Sequence, residues 1–371
     1  MKNMMMSTTK PIRIGFDVDE VLLECSEPAR IWANEKLGTN LKKNDLNVWG
    51  RCDGDFKKLQ TVFRDETFVA SQEPIEGAVE FIKRLSAVEG VEIYFITAVP
   101  VEMTKARSLS LVRHFPWVPT ENYILTSSKH VAHFDIFVDD AEHNLFSNES
   151  KYPIVKRERW NENITGMLSY QTFEELWSLI EIICKKEGLK KVNKINTPSI
   201  LAIIGPTGSD KNKLANELCK RGMSRPWVYT NSHYDLSSES YKYYSYRTDE
   251  EIREEEDFFM TTVYGKNFYG VKYKNIKTLL DRHDNLVMVV DMRGYAALKA
   301  KFPTVSIYKD QTYEKCISNT LKKEMSDEEK ANRIMAIKRE RRNMELCDYV
   351  LPASDDIEML ADMVMNTIRR Y

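Results

Sequence analysis

Two short apolar runs, Ile12–Phe16 and Ser199–Ile204, each stop abruptly at residues suited to chemistry. The first ends in Asp17-Val18-Asp19, the second in the glycine-bearing turn Gly205–Lys211. A buried strand that delivers reactive groups at its C-terminal end and then crosses over through a helix belongs to a parallel α/β sheet. Between the two runs the alternation continues. Ile75–Val88 reads as an amphipathic helix ended by Gly90, Val91–Ile96 as a strand and Ala106–His114 as a helix. Tyr123–Leu125 and Ile136–Val138 read as short strands, and Phe173–Lys186 as a helix that closes the unit. The segment from Glu24 to about Pro74 breaks the rhythm, with helical spacing around Ala29–Leu37 and Phe56–Phe63.

A second unit is expected from length, because 371 residues exceed one ordinary domain. The composition shifts at Lys185–Asn196, which is basic and poor in large apolar residues, and Pro198 ends that stretch. The expected organisation is therefore a first domain over 1–187, with an inserted segment at about 24–74, a linker over 188–198 and a second α/β domain over 199–371. In the second domain, helix 211–221, a tyrosine-rich section, strands Leu286–Asp291 and Thr304–Tyr308, and helices through Met335–Met344 and Asp356–Arg369 follow in turn. The acidic patch Asp249–Asp257 reads as a solvated helix face.

Charge and cysteine usage narrow the class. Lys+Arg 54 against Asp+Glu 56 leaves a net charge of −2, which speaks against a domain living on a nucleic-acid backbone. No apolar run approaches the roughly 18 residues that a membrane span needs. The 6 cysteines are scattered without zinc spacing or a dense disulfide framework, so they are expected as free thiols in a cytoplasmic protein.

Four features of the first domain converge. Asp17 and Asp19 follow a strand, where one carboxylate can attack phosphorus and the other can donate a proton. Thr97 and the amide of Ala98 close the strand that begins at Val91, placed to hold phosphate oxygens. Lys129 can offset phosphoryl charge. Asp139-Asp140 ends the run Ile136–Val138 and offers oxygen ligands to Mg2+. Each alone has a bland explanation: an exposed carboxylate pair, a strand-end threonine, a solvated lysine. All four in order at strand ends define a site.

The stretches FDVDEVLLE, FITAVP, SSKH and FVDDAEHN resemble the four motifs of haloacid dehalogenase phosphatases, over roughly residues 11–185. DVDEVL, NDLNVWG and FVDDAEHN narrow the resemblance to the 5'(3')-deoxyribonucleotidases. It implies Asp17 as nucleophile, Asp19 as acid/base giving its carbonyl to Mg2+, Asp139 as the main acidic metal ligand with Asp140 assisting, and Thr97 and Lys129 on the phosphate. It also implies a small helical cap whose aromatics meet the base; Trp49, Phe63 and Phe68 are the candidates, each equally suited to the cap's core. Nucleoside monophosphates are the implied substrates.

In the second domain GPTGSDKNKL, DFFMTTVYGKNFYG, VMVVDMRGYAALK and ELCDYVL resemble guanylate kinase-like nucleoside monophosphate kinases, over about 199–371. Gly205, Gly208, Lys211 and Asn212 then form a phosphate loop for ATP, and Tyr269, Asp291 and Arg333 are implied in nucleotide binding. The loop departs from the pattern twice: Asp210 replaces its second glycine, and Asn212 the metal-ligating hydroxyl. Met260 stands where a guanine-reading glutamate is expected. Kinase activity and a degenerate nucleotide-binding or scaffolding module both stay open, as does a homodimer. The two folds also occur joined in polynucleotide kinase–phosphatases, a rival reading that predicts an uncapped phosphatase and a basic groove.

Overall fold

The computed structural model describes residues 10–46, 53–162, 164–188, 200–232, 242–255, 257–264, 267–282 and 285–368. It divides into two compact units, residues 1–161 with 168–173, and 162–167 with 174–371.

In the first unit six strands, β1 (Ile12–Phe16), β2 (Val91–Thr97), β3 (Tyr123–Leu125), β4 (Ile136–Asp139), β5 (Tyr152–Lys156) and β6 (Leu168–Tyr170), form one parallel sheet in the order β3-β2-β1-β4-β5-β6. β1 is central and nearly all buried, which is why it reads as a continuous apolar run rather than an alternating one. The order reverses between β1 and β4, and an open α/β sheet has its ligand crevice at such a switch point, outside the strands' C-terminal ends.

The interruption of the rhythm is an inserted cap: α1 (Ser26–Leu37), α2 (Asp55–Val62) and α3 (Glu66–Ser71), followed in the sheet's own framework by α4 (Ala78–Ser86), α5 (Thr104–His114) and α6 (Glu142–Ser147). The cap leaves and rejoins the sheet side by side: Leu23 bridges Pro74, Glu24 N–H donates to Glu73 C=O at 2.9 Å, and Ile75 N–H to Leu22 C=O at 2.9 Å. Its Ala29, Ala33, Val62, Phe68 and Val69 pack into one small core with Met103 and with Ala106 of α5. Gly38 ends α1 in the left-handed conformation at φ +64°, a helix stop that glycine takes without steric penalty.

Helix α7 (Phe173–Lys186) forms as its periodicity predicts, but by packing it goes with the second unit. There Glu175 pairs with Arg293 at 3.0 Å and Lys185 with Asp348 at 2.8 Å. Most of the expected linker, from residue 189 on, lies outside the described residues.

The second unit holds two sheets. Strands β7 (Ile200–Ile204), β8 (Val228–Thr230), β9 (Tyr244–Tyr246), β10 (Phe258–Tyr264), β11 (Asn267–Lys272), β12 (Leu286–Val289), β13 (Thr304–Lys309) and β14 (Tyr349–Leu351) sort into a parallel sheet β12-β7-β13-β14 and a mixed sheet β10-β11-β8-β9. The tyrosine-rich section thus becomes the second sheet; aromatic residues suit a pleated, half-buried surface. The helices are α8 (Lys211–Lys220), α9 (Asp249–Glu254), α10 (Tyr273–Leu280), α11 (Met292–Lys301), α12 (Tyr313–Leu321), α13 (Asp327–Arg342) and α14 (Ile357–Ile368). Leu201, Ile203, Leu214, Leu218, Val287 and Leu360 join β7, β12, α8 and α14 in one core. No helix among the described residues is long and apolar enough to cross a membrane.

Candidate functional site

β1 and β4 run side by side, so Asp17 and Asp139 emerge at neighbouring strand ends, and Asp17 N–H donates to Val138 C=O at 2.8 Å. Lys129, brought in by the loop after β3, lies between them. Its Nζ is 2.7 Å from Asp17 Oδ1 and 2.9 Å from Asp139 Oδ2, with all three residues almost wholly buried. The remaining oxygen of Asp139 accepts from Ala141 N–H at 2.8 Å and from Asn144 Nδ2 at 3.2 Å. Asp140 Oδ2 accepts from Trp160 Nε1 at 3.0 Å, whereas its buried Oδ1 has no partner among the described residues. Thr97 Oγ1, at the end of β2, is likewise buried without one.

The electrostatics follow from crowding. Carboxylate oxygens of Asp17, Asp139 and Asp140 lie within 4.8 Å of one another. Burial, partly opposed by Lys129 and reinforced by Asp139 and Asp19, pushes the Asp17 carboxyl up to about 7. Burial, reinforced by Asp139 and Asp17, pushes Asp140 well above the carboxylate range. Burial works against the Lys129 ammonium, yet Asp17 and Asp139 outweigh it and raise its pKa. Three buried carboxylates surround one lysine, which pairs with two of them, and one Asp140 oxygen has no partner among the described residues. Hard oxygen donors short of positive charge fit a divalent cation such as Mg2+.

Asp19 sits apart from this cluster, 22% exposed, its Oδ1 paired with Arg107 Nη2 at 2.6 Å and accepting from Gln72 Nε2 at 3.2 Å. Nothing local in the sequence marks either partner. Arg107 looks like an ordinary position on an amphipathic helix, and the contact spans 88 residues.

Of the cap aromatics, Phe68 is 1% exposed and packs edge-on against Trp32 and Phe63 at 5.6 and 5.7 Å, as part of the cap core. Phe63 is half-buried at the edge of that cluster. Trp49 lies outside the described residues.

In the second unit Gly205, Gly208, Lys211, Asn212, Tyr269, Asp291 and Arg333 all line one cavity of about 430 Å3. The loop's glycines are required by close approach. A Cβ on Gly208, at φ +81°, would meet Cys316 C=O at 2.3 Å, and one on Gly205 would meet Lys309 C=O at 2.5 Å. Asp210 adopts φ +63°, a left-handed conformation that aspartate tolerates better than most side chains. Its carboxylate is engaged by Lys213 at 3.2 Å and by Asn319 at 3.3 Å. Lys211 Nζ folds back onto the loop's own carbonyls of Gly205 and Pro206. Asn212 accepts from Arg225 at 3.2 Å and donates to the Tyr244 hydroxyl at 3.3 Å.

Asp291 caps α11 by accepting from Gly294 N–H at 2.7 Å, and Arg333 pairs with Glu329 at 2.8 Å. Met260 is buried in the cavity wall, where it offers a base no hydrogen bond. Lys323 also lines the cavity; burial, with Arg333 and Lys211 nearby, lowers its pKa to about 8.

Residues 10–187 match the family described as 5' nucleotidase, deoxy (pyrimidine), cytosolic type C protein. Over 171 residues the chain is 28% identical to the 5'(3')-deoxyribonucleotidases of Bacillus subtilis (strain 168) and of Bacillus phage SPbeta, covering 44% of this chain and 95% of theirs. Over 202 residues it is 25% identical to the guanylate kinase of Mycoplasmoides gallisepticum, covering 52% of this chain and 98% of that one. The chain joins a deoxyribonucleotidase-like phosphatase to a guanylate kinase-like region. In this fusion the nucleotidase-like half carries the buried acidic cluster, and the kinase-like half carries the glycine-loop cavity.

Proposed function

We propose that the nucleotidase-like half is a Mg2+-dependent 5'-deoxynucleotidase that hydrolyses nucleoside monophosphates through an aspartyl-phosphate. The observation that carries this reading is Lys129 held between Asp17 and Asp139 at the switch point of the sheet, beside the unpartnered Asp140 oxygen. Asp17 attacks phosphorus as the ester bond to the nucleoside oxygen breaks, and Asp19 gives its proton to that oxygen. Water then attacks the aspartyl-phosphate and passes a proton to Asp19, and inorganic phosphate leaves with both carboxylates restored. Lys129 offsets phosphoryl charge, and Thr97 Oγ1 and the Ala98 amide hold phosphate oxygens. Asp17, Asp139, Asp140 and the Asp19 carbonyl are the groups that would hold Mg2+, which supplies charge neutralisation to the anions that must meet.

The cap turns the site toward small phosphomonoesters, with Phe63 and Trp49 as base contacts and Phe68 as support. A pyrimidine deoxynucleotide fits the family resemblance. The kinase-like half binds a nucleotide at Gly205–Asn212, with ATP as donor and Tyr269, Asp291 and Arg333 around the acceptor. Met260 disfavours guanine. The two halves together reshape a cytoplasmic deoxynucleotide pool, one removing a nucleotide that the other spares or phosphorylates.

Phosphate release with Mg2+ from a panel of all common deoxy- and ribonucleoside monophosphates and a 3'-phosphorylated oligonucleotide tests this. Free deoxynucleoside monophosphates should lead by kcat/KM. Preference for the oligonucleotide would replace this reading with nucleic-acid end repair.

A further inference from the structure

Arg107 is 1% exposed, yet it satisfies only part of its donor set. Its Nη2 binds Asp19 at 2.6 Å, while its Nε and Nη1 are buried with no partner among the described residues. An arginine retained for packing or stability alone would have its buried donors satisfied, because a buried donor without a partner is destabilising. The same Asp19 oxygen, Oδ1, accepts from Gln72, itself 2% exposed with a buried, unpartnered Oε1. Among the described residues no donor is placed on Asp19 Oδ2.

The two donors reach Asp19 from segments that are fastened to each other. Helix α5 presents Arg107 to Asp19, and its last turn grips the chain returning from the cap. There Arg113 Nη2 donates to Ala70 C=O at 2.9 Å, and His114 Nε2 lies 3.2 Å from Gln72 C=O. Gln72 sits on that return, two residues before the Leu23–Pro74 bridge. Asp19 Oδ1 is thus a junction between α5 and the root of the cap.

We infer that Arg107, with Gln72, is a positioning residue for the acid/base Asp19: by pinning Oδ1 it leaves Oδ2 as the oxygen that carries the proton to the leaving nucleoside and later takes one from water. This rests on the phosphatase reading above. It assigns Arg107 no contact with the substrate; the guanidinium acts through the orientation of one carboxylate.

The experiment compares a deoxynucleoside monophosphate, whose alkoxide must be protonated to leave, with p-nitrophenyl phosphate, whose phenolate leaves without a proton. Wild type, Arg107→Ala, Arg107→Lys, Gln72→Met, Asp19→Asn and the double variant Arg107→Ala/Asp19→Asn are assayed in saturating Mg2+. Losing a well-placed general acid costs about 10²–10⁴-fold, so Arg107→Ala should lower kcat on the nucleotide by about 100-fold. In the pre-steady-state burst of p-nitrophenolate, which reports formation of the aspartyl-phosphate alone, it should lose less than about threefold, because the phenolate leaves in that step without a proton. Added guanidinium and Arg107→Lys should each restore part of the nucleotide rate. The double variant should be no slower than Asp19→Asn alone, since residues acting as a unit are non-additive.

Gln72→Met acts on the same oxygen and should show the same selectivity, which keeps the inference testable if Arg107→Ala does not fold. Equal losses in nucleotide turnover and in the p-nitrophenolate burst, an unchanged Arg107→Ala, or additive losses in the double variant would each overturn it. Retained turnover in Asp17→Asn would instead overturn the phosphatase reading, whatever Arg107 does.

Discussion

The two halves present their candidate phosphate sites with opposite preparation. In the nucleotidase-like half the key lysine is already placed between two carboxylates at 2.7 and 2.9 Å, and the excess negative charge is left for a cation to offset. In the kinase-like half the loop lysine is turned inward onto the backbone of its own loop. Asp210 is held by Lys213 and Asn319, and Asn212 by Arg225 and Tyr244. The first site needs a counter-charge; the second must also exchange internal bonds for ligand bonds before phosphate can enter. Two sites of similar topology can therefore differ widely in readiness, and charge partnering reveals that difference better than the motif does.

The hardest test of this contrast is Asp17→Asn. An amide cannot attack phosphorus, so phosphatase turnover should fall at least about 100-fold, several kcal/mol in the barrier, with the fold intact by circular dichroism. A residual rate above about one hundredth of wild type would break the comparison at its stronger end.

Next in size is the metal. Chelation by EDTA should abolish phosphate release, and Ca2+ should inhibit it through its looser coordination. The same crowding gives a pH signature in metal-free protein. Asp17 has a folded pKa of about 7, above its unfolded value of about 3.9, so the native state binds the extra proton between those values. That contribution is therefore least unfavourable at acid pH, and stability declines as pH rises from about 4 to about 7. Asp17→Asn should flatten the decline in Tm measured in EDTA. A steeper decline in the variant would refute the crowding argument.

For the kinase-like half, Asp210→Gly/Asn212→Ser removes the loop's carboxylate and restores a metal-ligating hydroxyl. Titration calorimetry with ATP and Mg2+ should show binding at least about tenfold tighter than wild type, equivalent to 1.4 kcal/mol. Tight binding by wild type would erase the difference in readiness between the halves. The smallest expected effect concerns Lys323. Its ammonium deprotonates near pH 8 in the free cavity, so ATP affinity should weaken a few-fold as pH rises from about 8 to about 9. Lys323→Met should bind more weakly and lose that dependence; an unchanged pH profile would remove Lys323 from the site.

Much of this was legible in the chain because strand-end chemistry is a local pattern. Asp17, Thr97, Lys129 and Asp139 each follow a short apolar run, and parallel pairing brings such ends together. Strands β5 and β6 lack a continuous apolar run, since Pro153 interrupts one and Ser169 sits in the middle of the other. Helix α13 begins at Asp327, eight residues before the stretch recognised as helical. Its start signal was present: the Ser326 hydroxyl accepts from Glu329 N–H at 3.2 Å. Arg107 and Gln72 could not be read, because their meaning lies in a carboxylate 88 and 53 residues away. Asp210 was legible as a departure, but not the salt bridge and amide contact that occupy it.

The cap's two attachment points lie side by side at Leu23 and Pro74. An insertion whose ends meet can be lengthened, shortened or exchanged without shifting the register of any strand, so substrate choice can drift across generations while the hydrolytic apparatus stays fixed. Gln72 marks the limit of that freedom. A graft cut outside it would bring in a foreign residue against Asp19, so a cap transplanted for a new base preference should be joined between Ser71 and Gln72, with the native glutamine left in the recipient.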